Sequence, residues 1–164
     1  MQLKMKPNII FKKSKEMELY NYYYAINKRS YGADFSKSFS RDFIEKIKGK
    51  AFEDVKDVLK QKICEDYSRQ EEKIDVILWS IKERWEKIEN EFFKRLEKIF
   101  GKPFLAKNVV IYATILNRCD YNCNVNDAFL KISIQWPESS LKTIMHELLH
   151  FMFHWHYWDF CKKI

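Results

Sequence analysis

Residues 143–150 read TIMHELLH, an apolar run with two histidines four residues apart and a glutamate directly after the first. In an α-helix, residues four apart lie on one face, with their Cβ atoms roughly 5–6 Å apart. The imidazoles of His146 and His150 can then converge on one zinc ion, at about 2.0–2.1 Å from each ring nitrogen. Glu147 is placed to take a proton from water at the metal. The run therefore predicts a metal-binding helix that carries its own base.

The flanks of this run also favour a helix. Residues 136–140 (WPESS) have the features of a helix start, because proline suits the first turn and serine accepts hydrogen bonds from unpaired N–H groups. The remaining positions are largely apolar, which predicts a buried helix; they are Leu141, Ile144, Met145, Leu148, Leu149 and Met152. Polar side chains on such a helix need partners, and a metal ion is one. The alternative is a hydrogen-bonded histidine pair in the core, with Glu147 paired to a lysine.

The His-Glu-x-x-His run, with two predicted strands before it, resembles the HExxH zinc metallopeptidases, the zincins. The resemblance covers roughly residues 108–157 and not the whole chain. It implies that His146 and His150 bind Zn²⁺, that Glu147 is the general base, and that a peptide or protein is the substrate. It also implies that the substrate peptide adds to a sheet edge beside the active helix.

The sequence leaves the third zinc ligand open. Catalytic zinc usually has three protein ligands and a water, and in gluzincins the third is a downstream glutamate. No glutamate occurs after His150. The candidates are His154, His156, Asp159 and Cys161.

Each candidate meets a geometric obstacle. His154 lies about 12 Å from His146 along an unbroken helix, too far for one zinc ion to bridge. His156 has the spacing of the metzincin motif HExxHxxGxxH, but Phe153 stands where that family has the glycine that permits a turn. Asp159 requires a bend near Tyr157. A water, a partner chain or residues outside this chain remain as alternatives.

Composition predicts a mainly helical α+β fold. At 164 residues, with only three glycines and three prolines, the chain favours long helices over a loop-rich fold. We expect a helical part over residues 1–101 and a zincin-like catalytic core over residues 102–164, within one compact unit. Residues 108–116 and 127–135 are predicted strands that pair antiparallel, as a small sheet beside the HExxH helix.

Residues 69–100 carry the most regular pattern, with apolar side chains at alternating steps of four and three. This predicts an amphipathic helix that packs within its own domain, with a dimer seam or a protein-partner surface as the alternative. A short extended piece at residues 8–11, a helix at 17–26, a loop at 30–40 and a helix from Arg41 to about Tyr67, interrupted at Gly49, complete the prediction.

The net charge is +7, but the lysines are scattered among 23 acidic residues, so we expect a solvated surface and no nucleic-acid partner. No secretory signal and no stretch of 18 apolar residues is visible, which predicts a cytoplasmic protein with reduced thiols and no membrane anchor. Cys119 and Cys123 are interpreted as free cysteines.

Two functional hypotheses follow from the motif, and the positive charge alone raises a third, a zinc-dependent hydrolase that acts on RNA. The first is a zinc-dependent metallopeptidase that hydrolyses peptide bonds with water activated at the metal. The second is a non-catalytic, zincin-like binding or regulatory protein that engages a partner through the long helix or the tyrosine-rich segment near residue 20. Zinc stoichiometry separates them, since the enzyme requires about one zinc per chain with an open coordination position.

Overall fold

The computed structural model describes residues 6–29 and 32–161 of the chain. The elements follow in the order β1 (Asn8–Lys13), α1 (Lys15–Asn27), a 3-10 turn (Phe35–Ser38), α2 (Arg41–Ile47), α3 (Phe52–Phe100), β2 (Asn108–Thr114), β3 (Tyr121–Asn122), β4 (Phe129–Ser133), a second 3-10 turn (Pro137–Ser139) and α4 (Ser140–Cys161). The predicted mainly helical α+β class is confirmed. The predicted loop at 30–40 contains the first 3-10 turn, and its residues 30 and 31 lie outside the described residues.

The four strands form one mixed sheet in the order β1-β2-β4-β3. β2 is parallel to β1 on one side and to β4 on the other, whereas β3 pairs antiparallel with β4. The predicted antiparallel pairing of the strands at 108–116 and 127–135 is therefore wrong. The reason lies in residues 115–128, which connect them: this segment is long enough to reverse direction, form β3 and reverse again, so β4 returns in the direction of β2.

This strand order places β2 and β4 inside the sheet, and the edges belong to β1 and β3. Beyond the short β3, the N–H of Lys131 still donates to the carbonyl of Asp120 at 3.0 Å. The zincin resemblance also implies that one of the two predicted strands offers the sheet edge to which a peptide adds, but β2 and β4 are each paired on both sides, so neither offers that edge over its paired residues. Because β1 comes from residues 8–13, the sheet draws on both of the predicted parts of the chain.

The longest element is α3, which absorbs the predicted helix at 69–100 and most of the one before it. The interruption at Gly49 is real, since this glycine has a φ of 75° and α2 ends just before it. From Phe52 the helix continues for 49 residues, about 74 Å at the usual rise. It ends at Gly101, which has a left-handed conformation and donates its N–H to the carbonyl of Glu97.

The buried residues of α3 belong to two hydrophobic clusters. Its first half packs with α1, α2 and the end of β2, through residues that include Leu59, Ile63 and Tyr67. Its second half packs with β2, β4 and α4, through Ile81 and Trp85 among others. Most of the apolar stripe is therefore buried inside the protein, as predicted, whereas Ile99 at its end is 74% exposed. Of the helices that the structure describes, none combines the length and apolarity needed to cross a membrane.

A buried carboxyl group joins α1 to the sheet. Oε1 of Glu18 accepts hydrogen bonds from the N–H of Ile115 at 2.7 Å and from the hydroxyl of Thr114 at 3.0 Å. Asn21, one turn along α1, donates to the same hydroxyl and accepts from Arg118. Burial is the main cause that raises the pKa of Glu18 to about 7. This contact fixes the position of α1 over the end of β2.

Substitution of Trp85 tests the internal packing of α3. Trp85 is 1% exposed and its ring contacts Phe92 and Phe93, so Trp85→Ala should lower the free energy of unfolding by about 3–5 kcal/mol. Trp79 lies in the same helix but is 62% exposed, and Trp79→Ala should change the free energy of unfolding by less than about 0.5 kcal/mol. Urea unfolding of both variants measures the difference, and equal losses would contradict this placement of the helix.

Glu18 predicts a pH dependence of stability. Its pKa in the folded protein is about 7, above the ordinary 4.5, so the folded state binds the proton more tightly than the unfolded state. The free energy of unfolding should therefore fall as the pH rises from about 4.5 to about 7, by an amount on the order of 3 kcal/mol from this group. Glu18→Gln should remove that part of the slope in urea unfolding, whereas Glu16→Gln, an exposed neighbour, should leave it unchanged.

Candidate metal centre

The helix α4 has one face anchored in the protein. Ile144, Leu148 and Phe151 are fully buried against the sheet and α3. At the start of the helix, Arg84 of α3 donates from Nη2 to the carbonyl of Pro137 at 3.0 Å. The predicted helix start is confirmed, because α4 begins at Ser140, directly after the 3-10 turn. Because this face is packed against the protein, the opposite face of α4 is directed outward. His146, the first histidine of the motif, lies on that outer face.

The structure brings the two predicted metal-binding histidines together. The Nε2 atoms of His146 and His150 lie 2.9 Å apart, within hydrogen-bond distance as the alternative interpretation expects, and their ring centroids are separated by 4.5 Å. Two nitrogens at this separation, each about 2.05 Å from one cation, would subtend an angle of about 90°, within reach of zinc coordination after a small adjustment. Burial lowers the pKa of His150, and the electrostatic effects of His146 and His154 lower it further. A lowered pKa favours the neutral imidazole that a metal requires.

Tyr121 supports this pair from β3. Its ring stacks on the imidazole of His150, with centroids 5.5 Å apart, and its hydroxyl lies 3.1 Å from Nε2 of His154. The sequence contained no signal for this residue, since it stands between the two predicted strands. Only the pairing of β3 with β4 carries its ring to the face of α4.

A groove of about 630 Å³ opens beside the two histidines. It is lined by aromatic and apolar side chains together with three imidazoles, namely Phe100, Tyr121, His146, Leu149, His150, Phe153, His154 and Trp158. Of the described residues that line it, none carries a carboxylate, an ammonium or a guanidinium group. The histidine pair therefore faces a wide, uncharged surface.

The predicted base is buried next to this groove. Glu147 is 9% exposed, and within the described part of the chain its Oε2 has no hydrogen-bond partner. Burial raises the pKa of Glu147 to about 7. Burial also raises the pKa of the Cys119 thiol to about 11, with the charge of Glu147 as a smaller contributor. The carboxyl group thus lies toward the loop before β3, and Glu147 is not among the residues that line the groove.

None of the candidate third ligands with a described side chain joins the pair. His154 stays on the next turn because α4 is unbroken, and its Nε2 contacts Tyr121. Nε2 of His156 lies 2.9 Å from the carbonyl oxygen of Pro103, on another side of the helix. Asp159 is exposed on the continuing helix, with no bend to return it. For Cys161 only the helical backbone is described.

These observations test how well the residues fit a zinc ion. Over residues 6–29 and 32–161, no group of three or more His, Cys, Asp or Glu side chains could hold a metal ion. His146 and His150 supply two convergent nitrogens, which is one ligand fewer than a catalytic zinc site usually takes from its protein. The pair therefore supplies two of the four ligands that a zinc ion takes. Any further ligand has to come from outside the described side chains.

No protein-family model matches the chain. No curated protein and no solved structure matches it either. The function is therefore argued from the geometry of the site and the residues that form it.

Proposed function

We propose that this protein is a zinc-dependent metallopeptidase in which His146 and His150 bind the metal and Glu147 is the general base. One observation carries the proposal. Two imidazole nitrogens converge at 2.9 Å on the outer face of α4, and the residue that follows the first of them is a buried carboxyl group without a partner at Oε2. A peptide or protein segment is the proposed substrate.

Glu147 is the residue that transfers protons in the proposed reaction. A general base is most effective when its pKa lies near the working pH, and burial places the pKa of this carboxyl group at about 7. In this role Glu147 accepts a proton from water as the water oxygen attacks the peptide carbonyl carbon, and its buried carboxyl group, which does not line the groove, has to become accessible from the groove for that step. The same proton then passes to the amine nitrogen as the C–N bond breaks. Bound zinc would supply a Lewis acid that polarises the carbonyl group.

The groove supplies the surface on which a substrate would lie. It passes directly beside His146 and His150, and its volume of about 630 Å³ accommodates several side chains of an extended peptide. Tyr121 holds His150 from one side, which limits the rotation of the imidazole and keeps its Nε2 directed toward that of His146. A bound peptide would therefore meet the histidines in a defined orientation.

Glu147→Gln tests the assigned role of the base. The amide keeps the shape of the side chain but cannot take the proton, so peptide hydrolysis should fall by about 10²–10⁴-fold while zinc binding is retained. Fluorogenic peptide cleavage and zinc analysis of the same samples measure the two quantities. The matched control is Glu138→Gln, an exposed carboxylate in the turn before α4, which should keep full activity. Activity retained in Glu147→Gln would exclude this role.

The second candidate function is a non-catalytic binding or regulatory protein. It is favoured by one observation, that the described residues provide two metal ligands and no third. Such a protein would use the uncharged groove to hold a protein partner. If the chain takes up no zinc after loading and cleaves no peptide, this alternative replaces the peptidase.

A further inference from the structure

The outer face of α4 combines the metal pair with exposed apolar side chains. Leu149 and Phe153 follow His146 by three and seven residues, so they share its helix face, and they are 39% and 38% exposed. From residue 143 to residue 158 the helix has a single charged side chain, Glu147, and that one is buried. An exposed face with aromatic and aliphatic side chains and no formal charge has the character of the centre of a protein interface.

The same face carries an incomplete metal site. Zinc in closed sites takes four ligands in a tetrahedron, and His146 and His150 supply two of them. His146 is exposed, so ligands from another molecule can approach from the open side of the pair. A second copy of this chain presents two identical nitrogens with the same 2.9 Å spacing, on a face of the same apolar character.

We propose that one zinc ion joins two copies of this chain, with His146 and His150 of each copy supplying its four ligands. A two-fold axis through the ion relates the copies, as expected for an interface that uses the same patch twice. Each histidine pair lies along its helix, and tetrahedral coordination sets the two pairs in perpendicular planes. The two α4 helices therefore cross at about 90°.

The dimer depends on the metal. Contact between two crossing helices buries less than the roughly 1,200–2,000 Å² of a stable protein interface, so Leu149 and Phe153 alone would not hold it. Each copy also carries a net charge of +7, which opposes association. Removal of zinc should therefore return the protein to single chains.

This inference rests on the metal-binding half of the proposed function and not on hydrolysis. Four imidazoles fill every position of the ion, which makes the dimer a closed, non-catalytic form. Hydrolysis would then belong to the dissociated chain, whose metal retains open positions. Dilution at a fixed free zinc concentration should therefore raise the specific activity of a peptidase built in this way.

The test is a zinc titration of the metal-free full chain. Size-exclusion chromatography with light scattering measures the mass at each zinc concentration, and zinc analysis of the eluted protein measures the stoichiometry. Without zinc the chain should have its monomer mass of 20.1 kDa. With zinc chloride it should move to twice that mass and hold one zinc per two chains, and EDTA should reverse the change. Monomers with one zinc per chain would overturn the dimer and leave the peptidase proposal intact.

Other outcomes separate the two proposals further. Failure of the wild-type chain to bind zinc would overturn both. A dimer that persists in EDTA would overturn the zinc bridge. A zinc-linked dimer without peptide cleavage at any dilution would support the bridge and reject the peptidase.

Three variants identify the ligands and the surface. His150→Ala should lose both the bound zinc and the dimer. His156→Ala is the control, because Nε2 of this histidine lies against the carbonyl oxygen of Pro103 on another side of the helix, and this variant should dimerise as the wild type does. Leu149→Lys keeps all the ligands but places like charges opposite each other, so it should weaken the dimer at least about tenfold. A zinc-linked dimer of undiminished strength in Leu149→Lys would exclude this face of α4.

Discussion

The burial of one apolar stripe along α3 is the constraint on which the rest of the structure depends. The stripe runs through both hydrophobic clusters, first beneath α1 and α2 and then against the sheet and α4. Residues such as Ile63 and Ile81 are almost fully buried, so each half of the helix stabilises a different set of elements. Since most helical stability in proteins comes from packing of this kind, a helix of 49 residues requires partners along its whole length.

The placement of α4 follows from the same burial. Its inner residues, including Ile144 and Phe151, fill the space between α3 and the sheet, and Arg84 of α3 binds the carbonyl of Pro137 at its start. Once that face is buried, the helical repeat directs His146 toward solvent and Glu147 toward the interior. The separation of an exposed histidine from a buried carboxyl group is thus a consequence of packing, and it gives two adjacent residues different chemical environments.

The buried carboxyl groups show how packing changes chemistry. Glu18 and Glu147 both have their pKa raised to about 7 by burial, yet they differ in their partners. Glu18 accepts hydrogen bonds from Ile115 and Thr114 and joins two elements of the fold. Glu147 leaves Oε2 without a partner among the described residues, and a buried oxygen without a hydrogen bond costs stability.

Local periodicity alone indicated the helical segments and the pairing of His146 with His150, because residues four apart on a helix are neighbours whatever surrounds them. It also indicated that most of the stripe at 69–100 would be buried, but not that this helix and the one before it form the single helix α3. Tertiary structure decided the strand order, since a connection of fourteen residues permits either direction of pairing. It also decided that Tyr121 lies against His150 and that His156 faces Pro103, because these contacts join segments about thirty or more residues apart. Sequence spacing carries no information about such contacts.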